Sequence, residues 1–405
     1  QELPNPITTA VWGSWVEVNP ATAKKFGLSH KQVVQVHTDN GSIEAPLYVS
    51  EHVHPDLVAI PIGQGHSSYG RYAVGVGANA LSILGVSDSD SLGLISSGVS
   101  LRPSIAKDEL VTTQMQDSQI DRGVIRSIKS SELGGHKEDK HHKKGGHHGD
   151  DHHGDDYHGG HHDPHVLGPR EETKQMYKQM EHPQFKWGMS IDLNSCTGCS
   201  ACVVACYAEN NIPVVGKDFC AQGREMSWIN INRFYNDEHD ADNPVQGFVP
   251  MMCQHCGNAP CEPVCPVYAT YHNEEGLNTM VYNRCVGTRY CSNNCSYKVR
   301  RFNWFHYSYP EPLNWQLNPD ITVREVGVME KCTFCVQRIR EGKNNAKNEG
   351  RDVKDGEIQP ACASSCPTDA IKFGNLLDKD SEVYHNSQEQ RAYKFLDFEL
   401  NTQPA

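Results

Sequence analysis

The sequence contains sixteen cysteines, and fifteen of them form four spaced motifs that could bind iron–sulfur clusters. In a bacterial ferredoxin, three closely spaced cysteines wrap one cluster, and the fourth binds the other cluster of the pair. That fourth cysteine is expected at the start of a helix. The motifs are Cys196-x2-Cys199-x2-Cys202-x3-Cys206, Cys253-x2-Cys256-x4-Cys261-x3-Cys265-Pro266, Cys285-x5-Cys291-x3-Cys295 and Cys332-x2-Cys335-x26-Cys362-x3-Cys366-Pro367.

Two other uses of cysteine fit this pattern less well. Zinc ribbons also contain C-x2-C pairs, but four cysteines within eleven residues do not suit one closed tetrahedral zinc site. Disulfide frameworks are typical of small secreted domains, whereas this region is long and has ample apolar residues. Cys220 lies outside the motifs, and we predict a buried or free thiol there.

The elements before the motifs are short strands and one helix. Trp15–Val18, Val33–His37, Ile43–Val49 and Leu57–Ile62 are predicted strands. A helix is predicted from Pro20 to Phe26 and a hairpin turn at Asp39-Asn40-Gly41. The spacing predicts a small β-barrel. The whole chain is thus predicted to be α+β.

Between the two regions lies a low-complexity tract in which eleven histidines fall between His136 and His165. Few apolar side chains are available there, so we predict a flexible linker. Metal chelation by paired histidines is the alternative.

Composition excludes several classes of function. The formal net charge is −13, which argues against non-specific nucleic-acid binding. The most hydrophobic window, Tyr72–Val86, is too short and too interrupted to span a bilayer. The first residue is Gln1, and we expect no targeting segment. No nucleophile–base pair or phosphate-binding loop stands out, so substrate turnover is expected elsewhere.

The order "WVEVNPATAKKFGL", "VVQVHTDNGSIEAPLYV", "GRYAVGVGANAL" and "LVTTQMQDSQIDRGVIR" resembles the C-terminal dinucleotide-binding barrel of molybdopterin oxidoreductases. In that family the barrel contacts the pterin. The catalytic domains that carry the metal are not found in this sequence, so we expect a structural barrel without molybdopterin. Pterin contact by the glycines of residues 63–77 is the alternative.

The cysteine-rich region, including "WGMSIDLNSCTGCSACVVACYAENNIPVVGKD" and "GVMEKCTFCVQRIR", resembles four-cluster subunits of dimethyl sulfoxide and polysulfide reductases. More narrowly, it is similar to the iron–sulfur half of the large subunit of alternative complex III, in which a molybdopterin-like half without cofactor is fused to a four-cluster half. The implied domains are a barrel at 1–130, a His-rich linker at 131–185, a double ferredoxin-like domain at 186–380 and a tail at 381–405.

The resemblance implies crossed ligand sets. Cluster one takes Cys196, Cys199, Cys202 and Cys366. Cluster two takes Cys253, Cys256, Cys261 and Cys295. Cluster three takes Cys265, Cys285 and Cys291. Cluster four takes Cys206, Cys332, Cys335 and Cys362.

Thr288 stands where cluster three would have its fourth cysteine, so this chain departs from the four-cysteine pattern. A hydroxyl is a weak iron ligand, and we therefore expect three [4Fe–4S] clusters and one [3Fe–4S] cluster.

The resemblance also implies a quinol-oxidising complex on the periplasmic face of a membrane. Its partners would be a polysulfide-reductase-type membrane subunit and cytochrome c subunits. Residues 297–307 have two possible interpretations. One is a docking surface for that membrane subunit, and the other is an ordinary core strand with solvated charges. The electron-transfer part of a molybdenum reductase for sulfur compounds or nitrate is the alternative function, and a metal-chelating protein is a third hypothesis.

Overall fold

A computed structural model of the chain describes residues 2–70, 72–85, 93–119, 122–126, 179–235 and 246–405. The predicted linker falls almost wholly at 127–178, outside these ranges, and its predicted flexibility is therefore untested. None of the helices in the described ranges has both the length and the apolar character needed to cross a bilayer.

The N-terminal part is built on a mixed five-stranded sheet in the order β5-β2-β4-β3-β6. Strands β2 and β4 are parallel and the other pairs are antiparallel. No ladder joins the two outer strands within the described residues, so the sheet is curled but is not shown to close. Its elements are β1 (Ala10–Val11), β2 (Val16–Val18), α1 (Pro20–Lys25), β3 (Val33–Thr38), β4 (Gly41–Val49), β5 (Val58–Ala59), a 3-10 helix (Ala80–Ile83), β6 (Ser100–Pro103) and β7 (Val111–Thr112).

Local sequence explains the start of this part. The Asn19 side chain accepts a hydrogen bond from the Ala21 N–H, and Pro20 occupies the first helical position, so α1 begins where predicted. Strands β3 and β4 pair Thr38 with Gly41, which confirms the predicted hairpin. The predicted strand at 57–62 is reduced to β5, and the residues after it are partly or fully exposed.

The C-terminal part consists of two-stranded ladders and short helices around a main apolar core. Strands β8 and β15, its first and last, pair antiparallel with Ile191 opposite Ile371. The elements are β8 (Trp187–Ile191), α2 (Ala201–Glu209), α3 (Lys217–Ala221), β9 (Asn230–Tyr235), β10 (Gln246–Met251), β11 (Thr270–His272), β12 (Asn278–Met280), 3-10 helices (Tyr282–Arg284, Leu313–Gln316), α4 (Tyr290–Asn294), β13 (Arg301–Phe302), β14 (Met329–Glu330), α5 (Val336–Asn348), α6 (Ala361–Ser364), β15 (Ile371–Asn375), α7 (Glu382–Gln388) and α8 (Asp397–Leu400).

Residues 401–405 lie across the loop of the second cysteine motif. The Gly257 N–H donates to the Gln403 carbonyl (2.8 Å), and the Ala405 N–H donates to the Gln254 carbonyl (2.9 Å). Through these backbone hydrogen bonds, residues 401–405 cover this loop.

Buried polar contacts hold the two parts together. The Glu2 carboxylate accepts hydrogen bonds from the backbone N–H groups of Val215 and Gly216. The Arg233 guanidinium is 2% exposed and donates to the hydroxyls of Tyr48 (2.9 Å) and Tyr235 (2.8 Å). Arg233 therefore links the N-terminal sheet to β9.

Replacing Arg233 with methionine is expected to lower the free energy of unfolding by about 2 kcal/mol, because the tyrosine hydroxyls lose a buried donor. Denaturant unfolding measures this change. Arg102→Met, an equal substitution on the exposed face of β6, is the control and should change stability by less than about 0.5 kcal/mol. Equal losses in the two variants would contradict the anchoring role.

Candidate metal centres

All sixteen cysteines are free thiols, and eleven of them are buried. The disulfide framework is therefore excluded. Cys220 is buried and unpaired with another cysteine, as predicted. We number the four thiol groups by the cluster that each is expected to hold.

Thiol group one joins the first motif to the last cysteine of the fourth. Burial is the main reason why the pKa of Cys202 is raised to about 12. The nearby thiols of Cys196, Cys199 and Cys366 raise this pKa further. Cys366 differs from the others. Burial acts to raise its pKa, but hydrogen bonds from Thr368 and the backbone outweigh burial and hold the pKa below its usual value.

Thiol group four joins the fourth motif to the last cysteine of the first. Burial raises the pKa of Cys206 well above its usual value, and the nearby Cys332, Cys335 and Cys362 raise it further. The Asn210 Nδ2 group lies 3.6 Å from the Cys206 Sγ and 3.8 Å from the Cys335 Sγ, and donates to both.

The expected helix start at Cys206 is wrong. Helix α2 begins at Ala201, and Cys206 lies in its second half. Gly198 (φ 68°) and Ser200 (φ 63°) adopt left-handed backbone conformations, so regular helix is possible only beyond them. Cys202 and Cys206 thus lie one turn apart on a single helix and point to different thiol groups.

Thiol group two contains four cysteines from the second and third motifs. Burial raises the pKa of Cys256, and the nearby Cys253, Cys261 and Cys295 raise it further. Only Cys295 comes from the third motif, and it directly follows α4.

Thiol group three surrounds a largely enclosed cavity. Burial and the nearby Cys285 and Cys265 raise the pKa of Cys291, while the charge of Arg300 lowers it. Cys265, Cys285, Thr288 and Cys291 all line the cavity. The structure therefore brings Thr288 to the same space as the three thiols.

The backbone around Thr288 repeats the loop around Cys199. Gly287 (φ 74°) and Arg289 (φ 64°) flank Thr288 as Gly198 and Ser200 flank Cys199, with nearly the same angles. A helix follows in each case. Thr288 thus occupies the loop position that Cys199 occupies in thiol group one.

Contacts between thiol groups define a row. Cys202 of group one lies near enough to Cys362 of group four to raise the pKa of that thiol. Cys253 of group two raises the pKa of Cys332 of group four in the same way. Cys261 of group two packs in one apolar cluster with Cys291 of group three. The order along the row is therefore one, four, two, three.

The donor set fits iron–sulfur clusters better than single ions. Within the described ranges, no three His, Cys, Asp or Glu side chains are arranged to hold one metal ion. A cluster instead binds each thiolate through a different iron, so its ligands are spread further apart. Backbone N–H groups of Ala269 and Ala370 donate to the sulfurs of Cys265 (3.2 Å) and Cys366 (3.3 Å), as is common around such clusters.

A second observation supports this fit. The His255 side chain is 2% exposed, and its Nδ1 accepts a hydrogen bond from the Asn278 N–H. Burial holds the His255 pKa well below its usual value, so the ring is neutral and carries its proton on Nε2. That atom makes no hydrogen bond of good geometry, although the ring lies close to the Cys332 backbone, and a cluster sulfur would be a suitable acceptor.

Comparison with known proteins identifies the family. Residues 7–91 match the Molydopterin dinucleotide binding domain, and residues 245–310 match the 4Fe-4S dicluster domain. The chain is 41% identical over 225 residues to the menaquinone reductase iron–sulfur cluster-binding subunit of Nitratidesulfovibrio vulgaris, covering 55% of this chain and 87% of that protein.

Two further relatives are similar over nearly the same extent. A putative dimethyl sulfoxide reductase iron–sulfur subunit of Halobacterium salinarum is 35% identical, covering 54% of this chain and 77% of the relative. One chain of the polysulfide reductase of Wolinella succinogenes is 32% identical, covering 49% of this chain and 81% of the relative. The chain therefore belongs to the iron–sulfur subunits of the dimethyl sulfoxide and polysulfide reductase family.

Several polar residues around the thiols of this iron–sulfur subunit were not predicted from its sequence. Asn210, His255 and Arg300 contact or face the thiol groups from inside the core. His255 lies inside a motif and could have been suspected. Asn210 and Arg300 lie outside the motifs, and only the fold brings them to the sulfurs.

The stretch at 297–307 combines buried and exposed residues. Tyr297, Val299, Arg300 and Asn303 are buried, as the core interpretation predicts. Lys298, Trp304 and His306 are exposed, and the docking interpretation stays open for them.

Substitution of Gly198 by alanine is expected to remove the iron of one cluster from the iron–sulfur subunit. A Cβ at this position would come within 2.7 Å of the Phe248 ring, and the left-handed φ adds strain. Iron analysis of the purified protein measures the loss. Gly350→Ala is a matched control, because Gly350 has the same φ and open space around it. Equal iron in both variants would show that the loop tolerates the change.

Proposed function

We propose that this chain is the electron-transfer subunit of an alternative complex III, a membrane-associated quinol oxidoreductase. The observation that carries the proposal is the fusion of a pterin-type domain and four cysteine motifs in one chain. Dimethyl sulfoxide and polysulfide reductases resemble the two halves but divide them between chains. The relatives' names, which include menaquinone reductase and menaquinol oxidoreductase, support a quinone-linked role.

The clusters proposed are three [4Fe–4S] and one [3Fe–4S]. Thiol groups one, two and four each have four cysteines and would each hold a [4Fe–4S] cluster. Group three has three cysteines and Thr288, whose hydroxyl stays protonated at neutral pH. An iron at that corner would lack a thiolate, and the cluster would keep three irons.

The row of thiol groups supports a path for single electrons. We propose that electrons enter at cluster three, pass through clusters two and four, and leave from cluster one. Cys199 of group one is exposed, so an acceptor such as a cytochrome c subunit can approach that end of the row closely.

The surface at cluster three supports contact with a membrane subunit. Val286 and Tyr290, which flank the Thr288 loop, are 65% and 58% exposed. Beside them the Arg289 guanidinium stacks on the rings of Phe302 (5.1 Å) and Trp304 (4.7 Å). We propose that this apolar, cationic surface binds a polysulfide-reductase-type subunit at the periplasmic face of the membrane.

The N-terminal part is proposed to be a structural barrel without molybdopterin. Two glycines in its glycine-rich loop pack against the chain itself. A Cβ on Gly65 would meet the Asn79 backbone at 2.1 Å, and one on Gly77 would meet Ser14 at 2.7 Å. These glycines are thus explained by packing and need no pterin.

The purified complex is expected to contain no molybdenum or tungsten, and about 15 non-haem iron atoms per copy of this chain. Elemental analysis with an assay for extractable pterin measures both. Stoichiometric molybdenum with pterin would contradict this function and favour the electron-transfer part of a molybdenum reductase. The similarity to subunits of tetrathionate and thiosulfate reductases supports that second function.

The variant Thr288→Cys is expected to convert cluster three to [4Fe–4S], because a thiolate can retain the fourth iron. An oxidised [3Fe–4S] cluster gives an electron paramagnetic resonance signal, whereas an oxidised [4Fe–4S]²⁺ cluster is silent. The signal of the oxidised protein should therefore disappear, the potential of cluster three should fall, and quinol oxidation should slow.

Thr197→Cys is the control, since Thr197 is an exposed residue of the first motif outside the proposed ligand sets. It should leave the oxidised signal unchanged. If the wild-type protein gives no such signal, the [3Fe–4S] assignment fails. If the signal survives in Thr288→Cys, Thr288 is not at the cluster corner.

A further inference from the structure

Arg300 lies in the core between thiol groups two and three, and the residue is only 5% exposed. One guanidinium nitrogen donates to the Thr270 hydroxyl (2.7 Å) and the Asn278 side-chain oxygen (2.7 Å), and lies 3.2 Å from the Cys261 sulfur. The other terminal nitrogen faces the Met280 sulfur at 3.8 Å.

No carboxylate of the described residues lies within ion-pair distance of Arg300. Glu262 is close by, but it contacts Asn278 and forms an ion pair with His272 at 2.6 Å. The other buried arginines in the described ranges do have carboxylate partners. Arg233 pairs with Asp117, and Arg324 pairs with Glu330 at 2.6 Å.

A buried guanidinium without a counter-charge would be costly, because desolvation of an unpaired ion is unfavourable by several kcal/mol. The negative charges nearest to Arg300 would be those of cluster-bound thiolates. Its guanidinium lies 3.2 Å from the Cys261 sulfur of group two. Its contacts Thr270 and Met280 line the cavity of group three together with Cys291. One cation is therefore shared by two thiol groups.

We propose that Arg300 is the common counter-ion of clusters two and three and raises the reduction potentials of both. This inference rests on the proposed function, which assigns a cluster to each thiol group. In a transfer between them, one electron would pass from a cluster held by group three, which would be oxidised, to a cluster held by group two, which would be reduced. No bond or proton changes place. The negative charge moves from one side of the guanidinium to the other, so the cation stabilises both the initial and the final state.

The test is a redox titration of the complex followed by electron paramagnetic resonance. Arg300→Gln removes the charge and is expected to make reduction of clusters two and three each about tenfold less favourable, which is 59 mV for one electron. Clusters one and four should keep their potentials. Arg300→Lys keeps the charge and should leave all four potentials near the wild-type values.

The matched control is Arg301→Gln, the same substitution one residue further on. Arg301 points to Glu225 (2.9 Å) and the Ser227 carbonyl (2.9 Å). It should leave clusters two and three unchanged.

Three results would overturn the proposal. The first is an Arg300→Gln protein with all its iron and unchanged potentials. The second is an Arg300→Lys protein with potentials as low as those of Arg300→Gln. The third is loss of iron in both variants, which would make Arg300 a folding residue. Failure of the proposed function is visible separately, as absence of the [3Fe–4S] signal or of iron from the wild-type protein.

Discussion

Each thiol group is completed by a cysteine from another motif, and this exchange constrains the whole C-terminal part. Cys366 joins the thiols of the first motif, and Cys206 joins those of the fourth, so the beginning and end of this part are tied together twice. The ladder between β8 and β15 joins the same two regions through the backbone. Burial raises the pKa of thiols such as Cys202, Cys206 and Cys291, so these groups resist ionisation. Metal binding requires thiolates, so folding of this part and the binding of its clusters are coupled. The left-handed loops place the cysteines of a motif for binding, and backbone N–H groups donate hydrogen bonds to sulfurs such as those of Cys265 and Cys366.

The interior contains two kinds of buried arginine. The carboxylate of Glu330 accepts hydrogen bonds from Arg324, from the Trp228 ring (3.0 Å) and from the Asn303 amide (3.0 Å). This network is closed and nearly neutral, so it adds little net field along the row of thiols. Arg300 has no carboxylate partner among the described residues, so its positive charge faces the thiol groups. Arg324 therefore maintains the fold, whereas the charge of Arg300 acts on the thiol groups.

The cysteine motifs could be found from sequence, whereas the surroundings of the thiols could not. Cysteine spacing reflects the geometry of a short loop, and α1 and the β3–β4 hairpin depend on local turn and capping residues. The position of Cys206 within α2 was missed because it depends on two left-handed residues before the helix. The stretch at 297–307 was ambiguous because its aromatic and basic residues suit both a surface and a core. Contacts such as Asn210 with the Cys335 sulfur join segments more than a hundred residues apart, and spacing along the chain carries no information about them.

The tail at 401–405 lies over the loop of the second motif, yet it follows every cysteine of the chain in the order of synthesis. A ribosome therefore releases all the ligands of thiol group two before it releases the segment that covers them. During that interval the loop around Gln254 and Gly257 lacks its backbone partners and stays accessible to whatever delivers iron and sulfide. Once the tail forms its hydrogen bonds, that side of the group is closed to solvent. The same few residues can thus cover thiol group two only after all its ligands have been synthesised.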